Sequence, residues 1–146
     1  LAGGESSRLV NRLIKEQGLF SSVNVYITGS LDEGLFIIKG RLMPTTSEEE
    51  AERALWHELE EIIEGNISDY EMEKVKNKFE ANMLMGEINI MNKALNLGFY
   101  AMTGDITLIN READIYRALT REQIMAFAKR CFSNENSSTL IYRAQK

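Results

Sequence analysis

One short stretch of the sequence carries residues that could bind a metal. In "WHELEE", His57 and Glu58 open a helix-like segment, and Glu61 stands where the second histidine of the zinc signature H-E-x-x-H would be. Such a site needs two histidines on adjacent helical turns, and His57 is the only histidine of the chain. We therefore predict an exposed helix face here, with no metal site and no catalytic residue in this chain.

A second candidate site is the opening "GGESS". Glycine-rich turns that precede helices expose backbone N–H groups, which can hold a phosphate. The Walker pattern G-x-x-x-x-G-K-[ST] also needs a second glycine and a lysine, and both are missing here. The sequence therefore predicts a structural turn that lets the following helix pack closely. A free-standing small-ligand binder is the alternative, and it would require the chain to bind phosphate.

The remaining reactive side chains are interpreted structurally. Cys131 has no partner for a disulfide within the chain and is predicted to be a buried thiol. The glutamates of residues 48–64 are predicted to form a solvated face and not a paired-carboxylate site. Five methionines at helical spacing are predicted to fill the core, with an adaptable binding surface as the alternative: Met72, Met83, Met85, Met91 and Met102.

Composition limits the classes of function. The 146 residues suit one ordinary domain or part of a larger one, with 44% hydrophobic and 27% charged residues. The net charge of −5 comes without a basic stripe, so no nucleic-acid partner is predicted. No apolar run approaches the ~20 residues of a membrane span. Cytoplasmic and periplasmic locations are both compatible with this composition.

The spacing of apolar residues predicts an α+β fold, an antiparallel β-sheet with helices packed on it. Ser6 or Ser7 is predicted to cap a first helix that ends at Gly18. Residues 20–29 and 34–42 have the pattern of strands, and their order predicts an antiparallel hairpin.

The long middle part of the chain is predicted to be helical. Boxes of the type S/T-x-x-E/Q mark the starts of three helices, at Thr46 or Ser47, at Ser68 and at Thr120. The second of these helices is expected to bend near Gly86 and to end near Gly104. Residues 107–118 are predicted to form a further helix. Residues 137–146 are predicted to form a third strand that pairs with the hairpin.

The first 23 residues, "LAGGESSRLVNRLIKEQGLFSSV", resemble a signature of the insulinase/pitrilysin-type zinc metallopeptidases, in the later domain of their paired units. That pattern is approximately L-G-G-G-x-S-S-R-L, a helix, and R-E-x-x-G-L-A-Y-S-V. The matching residues are Leu1, Gly3, Gly4, Ser6, Ser7, Arg8, Leu9, Gly18, Leu19, Ser22 and Val23. Two helices joined by G-x-I-S, and the later "LTREQIMAFAKRCF", follow the same layout, so the resemblance covers almost the whole chain.

The resemblance implies a role beside a catalytic partner. In that family a different domain carries the zinc motif H-x-x-E-H, and the paired halves close around an unfolded peptide. This sequence contains no H-x-x-E-H. Residues 1–146 would thus be a single partial domain, the C-terminal part of a non-catalytic α/β roll that is truncated at its N-terminal side. Its partners would be a zinc-bearing domain or subunit and a peptide substrate, and a homodimer is also compatible.

The resemblance also identifies two positions that differ from the family. Many relatives hold substrate with an Arg and a Tyr around the Gly-Leu pair, and those places are Ile14 and Ser21 here. Because an aliphatic side chain cannot donate charge-assisted hydrogen bonds, the resemblance implies an accessory, chamber-forming domain. Arg8, Gly3 and Gly4 are the remaining candidates for a structural or chamber contact. The alternative is a scaffold or assembly subunit from a relative that has lost zinc and activity.

Overall fold

The computed structural model describes residues 1–28 and 32–143. The chain divides into two compact units, Leu1–Gly65 with Met125–Lys146, and Asn66–Ile124. In chain order the elements are a π-helix Val10–Glu16, β1 Phe20–Ile27, β2 Phe36–Leu42, α1 Glu48–Ile63, α2 Asp69–Ile88, α3 Ile90–Met102, a 3-10 helix Ile106–Asn110, α4 Glu112–Ala118, α5 Arg121–Cys131 and a 3-10 helix Asn134–Asn136. The predicted α+β class is confirmed.

The first unit is built around the β1–β2 hairpin, which is the only sheet in the described ranges. The two strands are antiparallel, with Phe20 opposite Leu42 and Ile27 opposite Phe36. A core cluster joins the hairpin to the π-helix and to α1, and its buried members are Leu9, Leu13, Phe20, Val23 and Ala51. The predicted hairpin is thereby confirmed, and its inner face holds the opening segment in place.

The first helix differs from its prediction in type and in capping. It is a π-helix, with the N–H of Gln17 bonded to the Arg12 carbonyl at 3.0 Å, and no side chain caps its start. A serine cap would accept a hydrogen bond from the Leu9 N–H, but this N–H donates instead to the Leu1 carbonyl at 3.1 Å. The preceding turn thus supplies the acceptor that a cap would otherwise provide. Gly18, with φ of +64°, follows the helix as predicted.

The predicted caps at the starts of three later helices are confirmed, and the one at Thr120 is a complete capping box. Ser47 accepts a hydrogen bond from the Glu50 N–H at 3.2 Å, and Ser68 accepts one from the Glu71 N–H at 3.1 Å. Thr120 and Gln123 bond each other reciprocally, at 2.9 and 3.3 Å. These bonds satisfy N–H groups that a helix start leaves without a partner.

The helical block of the second unit breaks at a different residue from the one predicted. The break lies at Asn89 and not at Gly86, because the Asn89 side chain caps α3 by accepting from the N–H groups of Met91 and Asn92. α3 ends at Met102, next to Gly104, close to its predicted end. Residues 107–118 form a 3-10 turn followed by α4 and not one helix. No described helix has the length and apolar character needed to cross a bilayer.

The predicted third strand is absent from the described part of residues 137–146. Residues 137–143 are irregular, and residues 144–146 lie outside the described ranges. Leu140 is 95% exposed, so its side chain finds no apolar surface within the described chain that would hold the segment as a strand. Side chains tie it to α1 instead, through Thr139 to Glu52 at 2.8 Å and Arg143 to Glu48 at 2.6 Å.

Two further predictions of burial are wrong. Cys131, in the last turn of α5, is half-buried and not fully buried. Met85, Met91 and Met102 are exposed, because the faces of α2 and α3 that carry them meet no other described element. The core-filling interpretation therefore fails for these three methionines.

Tyr100 gives the second unit a testable pH dependence. Its hydroxyl donates a hydrogen bond to Glu112, and desolvation together with this bond raises the pKa of Tyr100 from 10.0 to about 12. Because the folded-state pKa is the higher one, the contribution of Tyr100 to stability is complete below pH 10 and is lost as the pH rises towards about 12. In a tyrosinate absorbance titration we expect a late ionisation near pH 12 that Tyr100→Phe removes and the exposed control Tyr70→Phe retains. A late phase that survives Tyr100→Phe would contradict the assignment.

Candidate functional site

The glycine-rich opening forms a turn that is closed by its own backbone. The N–H of Gly4 bonds to the Ala2 carbonyl at 3.0 Å, and the N–H of Ser7 bonds to the Gly4 carbonyl at 3.0 Å. Lys15 reaches back from the π-helix and donates to the Glu5 carbonyl at 2.6 Å. Two of the N–H groups that a phosphate would need are thus already bonded within the turn, which disfavours the phosphate cradle.

The three candidate contact residues occupy different surroundings. Gly3 and Gly4 lie on the exposed outer side of the turn, and Gly4 adopts a φ of 130° that favours glycine. Arg8 is buried, with 8% of its surface exposed. The turn therefore presents glycine backbone to the outside while the arginine points into the unit.

An ion pair joins the opening segment to α1. Nη1 of Arg12 lies 3.2 Å from both carboxylate oxygens of Glu58. The Glu58 side chain is 1% exposed and that of Arg12 is 38% exposed, so the carboxylate is buried and the guanidinium reaches solvent. A buried carboxylate is stable only with such a partner, so this pair fixes the π-helix against α1.

Glu58 corrects the prediction that the glutamates of residues 48–64 form a solvated face. Most of them are at least partly exposed, but Glu58 is among the most completely buried side chains of the described residues. A signal for this was present, because Glu58 lies seven residues after Ala51 and four before Ile62, both on the apolar stripe of α1. A charge inside an apolar stripe indicates a buried partner, and Arg12, 46 residues away, could not be identified from local spacing.

Ile14 and Ser21, the two positions where the family's Arg and Tyr would stand, lie on either side of the Gly18 turn. Ile14 is partly buried and packs against the core cluster. Ser21 lies where the register of β1 shifts between Phe20 and Ser22, and its hydroxyl donates to the Arg41 carbonyl at 3.2 Å. The shift places one extra, exposed residue on β1, which is the form of a β-bulge, a feature common beside active sites.

The described residues do not fit a zinc ion. His57 is exposed on α1, and no group of three or more His, Cys, Asp or Glu side chains within residues 1–28 and 32–143 is arranged to hold a metal. Tetrahedral zinc sites use three or four such ligands.

The second unit contains a small apolar pocket of about 90 Å³, next to a more open and partly polar cleft of about 550 Å³. The rings of Phe79 and Tyr116 stack in its wall with centroids 3.5 Å apart, and Lys76 stands at its rim, where it donates to the Arg117 carbonyl at 2.7 Å. Ligand sites for organic molecules usually measure ≈ 300–1,000 Å³, so this pocket is too small for a substrate site of that kind.

Known families and structures resemble this arrangement. The family model described as the peptidase M16 inactive domain matches residues 1–79. A protease from Helicobacter pylori matches with a TM-score of 0.81 and 20% identity, over 89% of this chain and 32% of that one. The present chain thus spans about a third of the length of the Helicobacter protein. No curated protein matches the chain.

Two Bordetella structures extend the comparison. A candidate zinc protease from Bordetella pertussis Tohama I matches with a TM-score of 0.74 and 24% identity, over 88% of this chain and 70% of that one. The inactive peptidase domain of a candidate zinc protease from Bordetella parapertussis matches with a TM-score of 0.74 and 23% identity, over 88% and 68%. At these identities the three structures establish a shared fold.

Proposed function

The chain belongs to the family of M16 peptidase inactive domains, and from this premise we propose that it is an accessory domain that lines a peptide chamber beside a zinc-bearing catalytic domain. Such a chamber holds an unfolded peptide while the catalytic domain cleaves it. This chain supplies shape and hydrogen bonds to the chamber and no catalytic group. The proposal names the β1 bulge at Ser21, with the adjoining Gly18 turn, as the part that faces the peptide.

The geometry around Ile14 and Ser21 is the observation that carries this proposal. Ile14 is aliphatic and packs against the core cluster, so this position offers the peptide neither a charge nor a hydrogen bond. Ser21 is exposed on the bulge and already bonds to the Arg41 carbonyl. Ile14 and Ser21 can form part of a chamber wall, but they cannot donate the hydrogen bonds to substrate that an Arg and a Tyr would. This supports a wall of the chamber and not a completed active site.

The buried frame behind the bulge supports the same role. The Arg12–Glu58 pair and the core residues Leu9 and Leu13 fix the opening segment to α1. A wall that is rigid before the peptide arrives loses little conformational entropy on binding. We further propose that the chain forms only part of its domain, since it covers 70% of the Bordetella pertussis structure. The rest of that domain would complete the wall.

A scaffold subunit of a relative without zinc is the second candidate. The same observation favours it, because Ile14 removes a substrate contact without replacing it. The partner domain discriminates between the two functions. An intact H-x-x-E-H in the domain that binds this chain supports the chamber, and a degraded one supports the scaffold.

Photo-cross-linking tests the chamber. The zinc-bearing M16 domain of the same organism, with its motif Glu changed to Gln so that peptide persists, is mixed with this chain and an unstructured peptide. A photoreactive p-benzoylphenylalanine replaces Ser21 in one variant and Glu60, exposed on α1, in the control. We expect peptide cross-links at Ser21 only, and only when the zinc-bearing domain is present.

Two results would overturn the proposal in different ways. If the two domains bind each other and the Ser21 variant does not label the peptide, the assignment of the bulge to the chamber wall is wrong. If the domains do not bind at all, the accessory role is wrong.

A further inference from the structure

α3 carries apolar residues on two opposite sides, although only one of these sides packs within the described chain. Lys93 is the only charged residue in Ile90–Met102. Tyr100 turns towards α4, where its hydroxyl bonds to Glu112. The opposite side carries Met91, Leu95 and Met102, which are 64 to 74% exposed. Large apolar side chains grouped on one exposed helix face are a feature of surfaces that a partner covers.

Gly98 lies on the same exposed side and is unexplained by packing within the described chain. A Cβ added at Gly98 would meet nothing within 4 Å, and its φ is not in the left-handed region. Glycine in a helix interior costs about 0.5–1 kcal/mol relative to alanine. A glycine that neither a turn nor a neighbour requires is consistent with close approach by a group from outside the chain.

The spacing of these four residues is symmetric. Met91, Leu95, Gly98 and Met102 are separated by four, three and four residues and lie within about 60° of arc on a helix of 3.6 residues per turn. When two copies of α3 run antiparallel, one register places Leu95 opposite Gly98 of the second copy. The same register places Met91 opposite Met102. Each Leu95 side chain then lies over the glycine of the other copy, where there is no side chain. The methionines pair with each other at the two ends of the interface.

We propose that this chain forms a homodimer through antiparallel pairing of α3 with α3 of a second copy, in the register that places Leu95 against Gly98. Large residues facing small ones allow two helices to interdigitate closely. The stripe has no charge, so two copies bring no like charges together. This interface shares no residue with the Ser21 bulge, and the proposal does not depend on the chamber function.

The exposed apolar area of the second unit is comparable to that of a small protein interface. Leu84, Met85 and Ile88, near the end of α2 in the same unit, are also exposed and add apolar surface. With on the order of 100 Å² for each of these six side chains, the apolar surface is about 600 Å², compared with the roughly 800 Å² per partner of a standard interface. It lies at the upper end of the roughly 300–600 Å² that the largest apolar patch of a monomeric protein usually measures.

Sedimentation equilibrium of the full chain tests the pairing. We expect twice the monomer mass of 16.6 kDa. Leu95→Glu should weaken association at least about a hundredfold, because it buries two unpaired carboxylates. Gly98→Leu should weaken association similarly by filling the gap. Because leucine is a much stronger helix former than glycine, loss of folding would not explain the effect. The control Asn96→Glu adds the same charge to an exposed position off the stripe and should leave the dimer intact.

A mixing experiment tests the register itself. Leu95→Glu and Gly98→Lys variants should each be monomeric alone and should form a mixed dimer together, since the register sets Glu against Lys at one site and leaves the native Leu–Gly contact at the other. A monomeric wild-type chain would overturn the proposal. A dimer that survives both Leu95→Glu and Gly98→Leu would overturn it in favour of another surface, such as the β1–β2 hairpin edge. Failure of the two variants to pair would overturn the register.

Discussion

Replacing Arg12 by methionine is expected to lower the free energy of unfolding of the first unit by about 3 kcal/mol. The substitution keeps most of the side-chain volume but leaves the Glu58 carboxylate, 1% exposed, without its cation. A buried charge without a partner loses its hydration and gains nothing in return. Urea unfolding followed by the fluorescence of Trp56, the only tryptophan, reports on α1 and hence on this contact.

Two controls separate charge burial from loss of any ion pair. Arg143→Met breaks a surface pair with Glu48 in the same unit and should lower the stability far less than Arg12→Met, because exposed ion pairs are screened by solvent. The double variant Arg12→Met with Glu58→Leu removes both charges and should recover most of the lost stability, because apolar replacements of a buried pair are often neutral or better. Equal losses for Arg12→Met and Arg143→Met would contradict the structural role given to Glu58.

Shortening Leu13 to alanine is expected to cost roughly 2–5 kcal/mol in the same assay. Leu13 has no exposed surface and lies on the π-helix in the core cluster, where Leu9 and Phe20 would line the cavity that the change leaves behind. The matched control is Leu35→Ala, since Leu35 is 68% exposed and its truncation should change stability by no more than about 0.5 kcal/mol. Similar losses for the two variants would show that the opening segment is not part of the core.

Local sequence rules predicted the parts of this fold that depend on a few neighbouring residues. The capping bonds of Ser47, Ser68 and Thr120 each join residues three apart, so their pattern is visible in the sequence. The hairpin is likewise an exchange between adjacent strands. The family resemblance was also visible, since its glycines and serines lie in one short opening segment, and the match of the inactive-domain model confirms it.

Features that depend on distant residues or on missing contacts could not be predicted in this way. The burial of Glu58 depends on Arg12, which is 46 residues earlier in the chain. The π-helix begins beside a backbone hydrogen bond from the Leu9 N–H to the Leu1 carbonyl, which no short motif indicates. The break lies at Asn89 because its side chain caps α3, whereas the sequence pattern indicated Gly86. Residues 137–143 have the residue pattern of a strand, but a strand forms only where a neighbouring strand offers backbone hydrogen-bond partners.

The family resemblance indicates where the candidate site around Ile14 and Ser21 lies, and the structure shows which groups are exposed there. The sequence identified Ile14 and Ser21 as departures from the family pattern, but it could not place Ser21 on a β-bulge, because a bulge is defined by the partner strand. The motif indicates Arg8 as a candidate contact residue, and the structure shows that this residue is buried. Its place in the chamber stays a prediction.

A peptidase assay with mixed components tests the central claim most directly. Cleavage of a quenched peptide pool is followed with this chain alone, with the zinc-bearing M16 domain of the same organism alone, and with the two together, each with and without a zinc chelator. An accessory domain should be inert alone and should raise cleavage by the zinc-bearing domain, and the chelator should abolish that cleavage. Chelator-sensitive cleavage by this chain alone, or a complex of the two domains with no gain in cleavage, would contradict the claim.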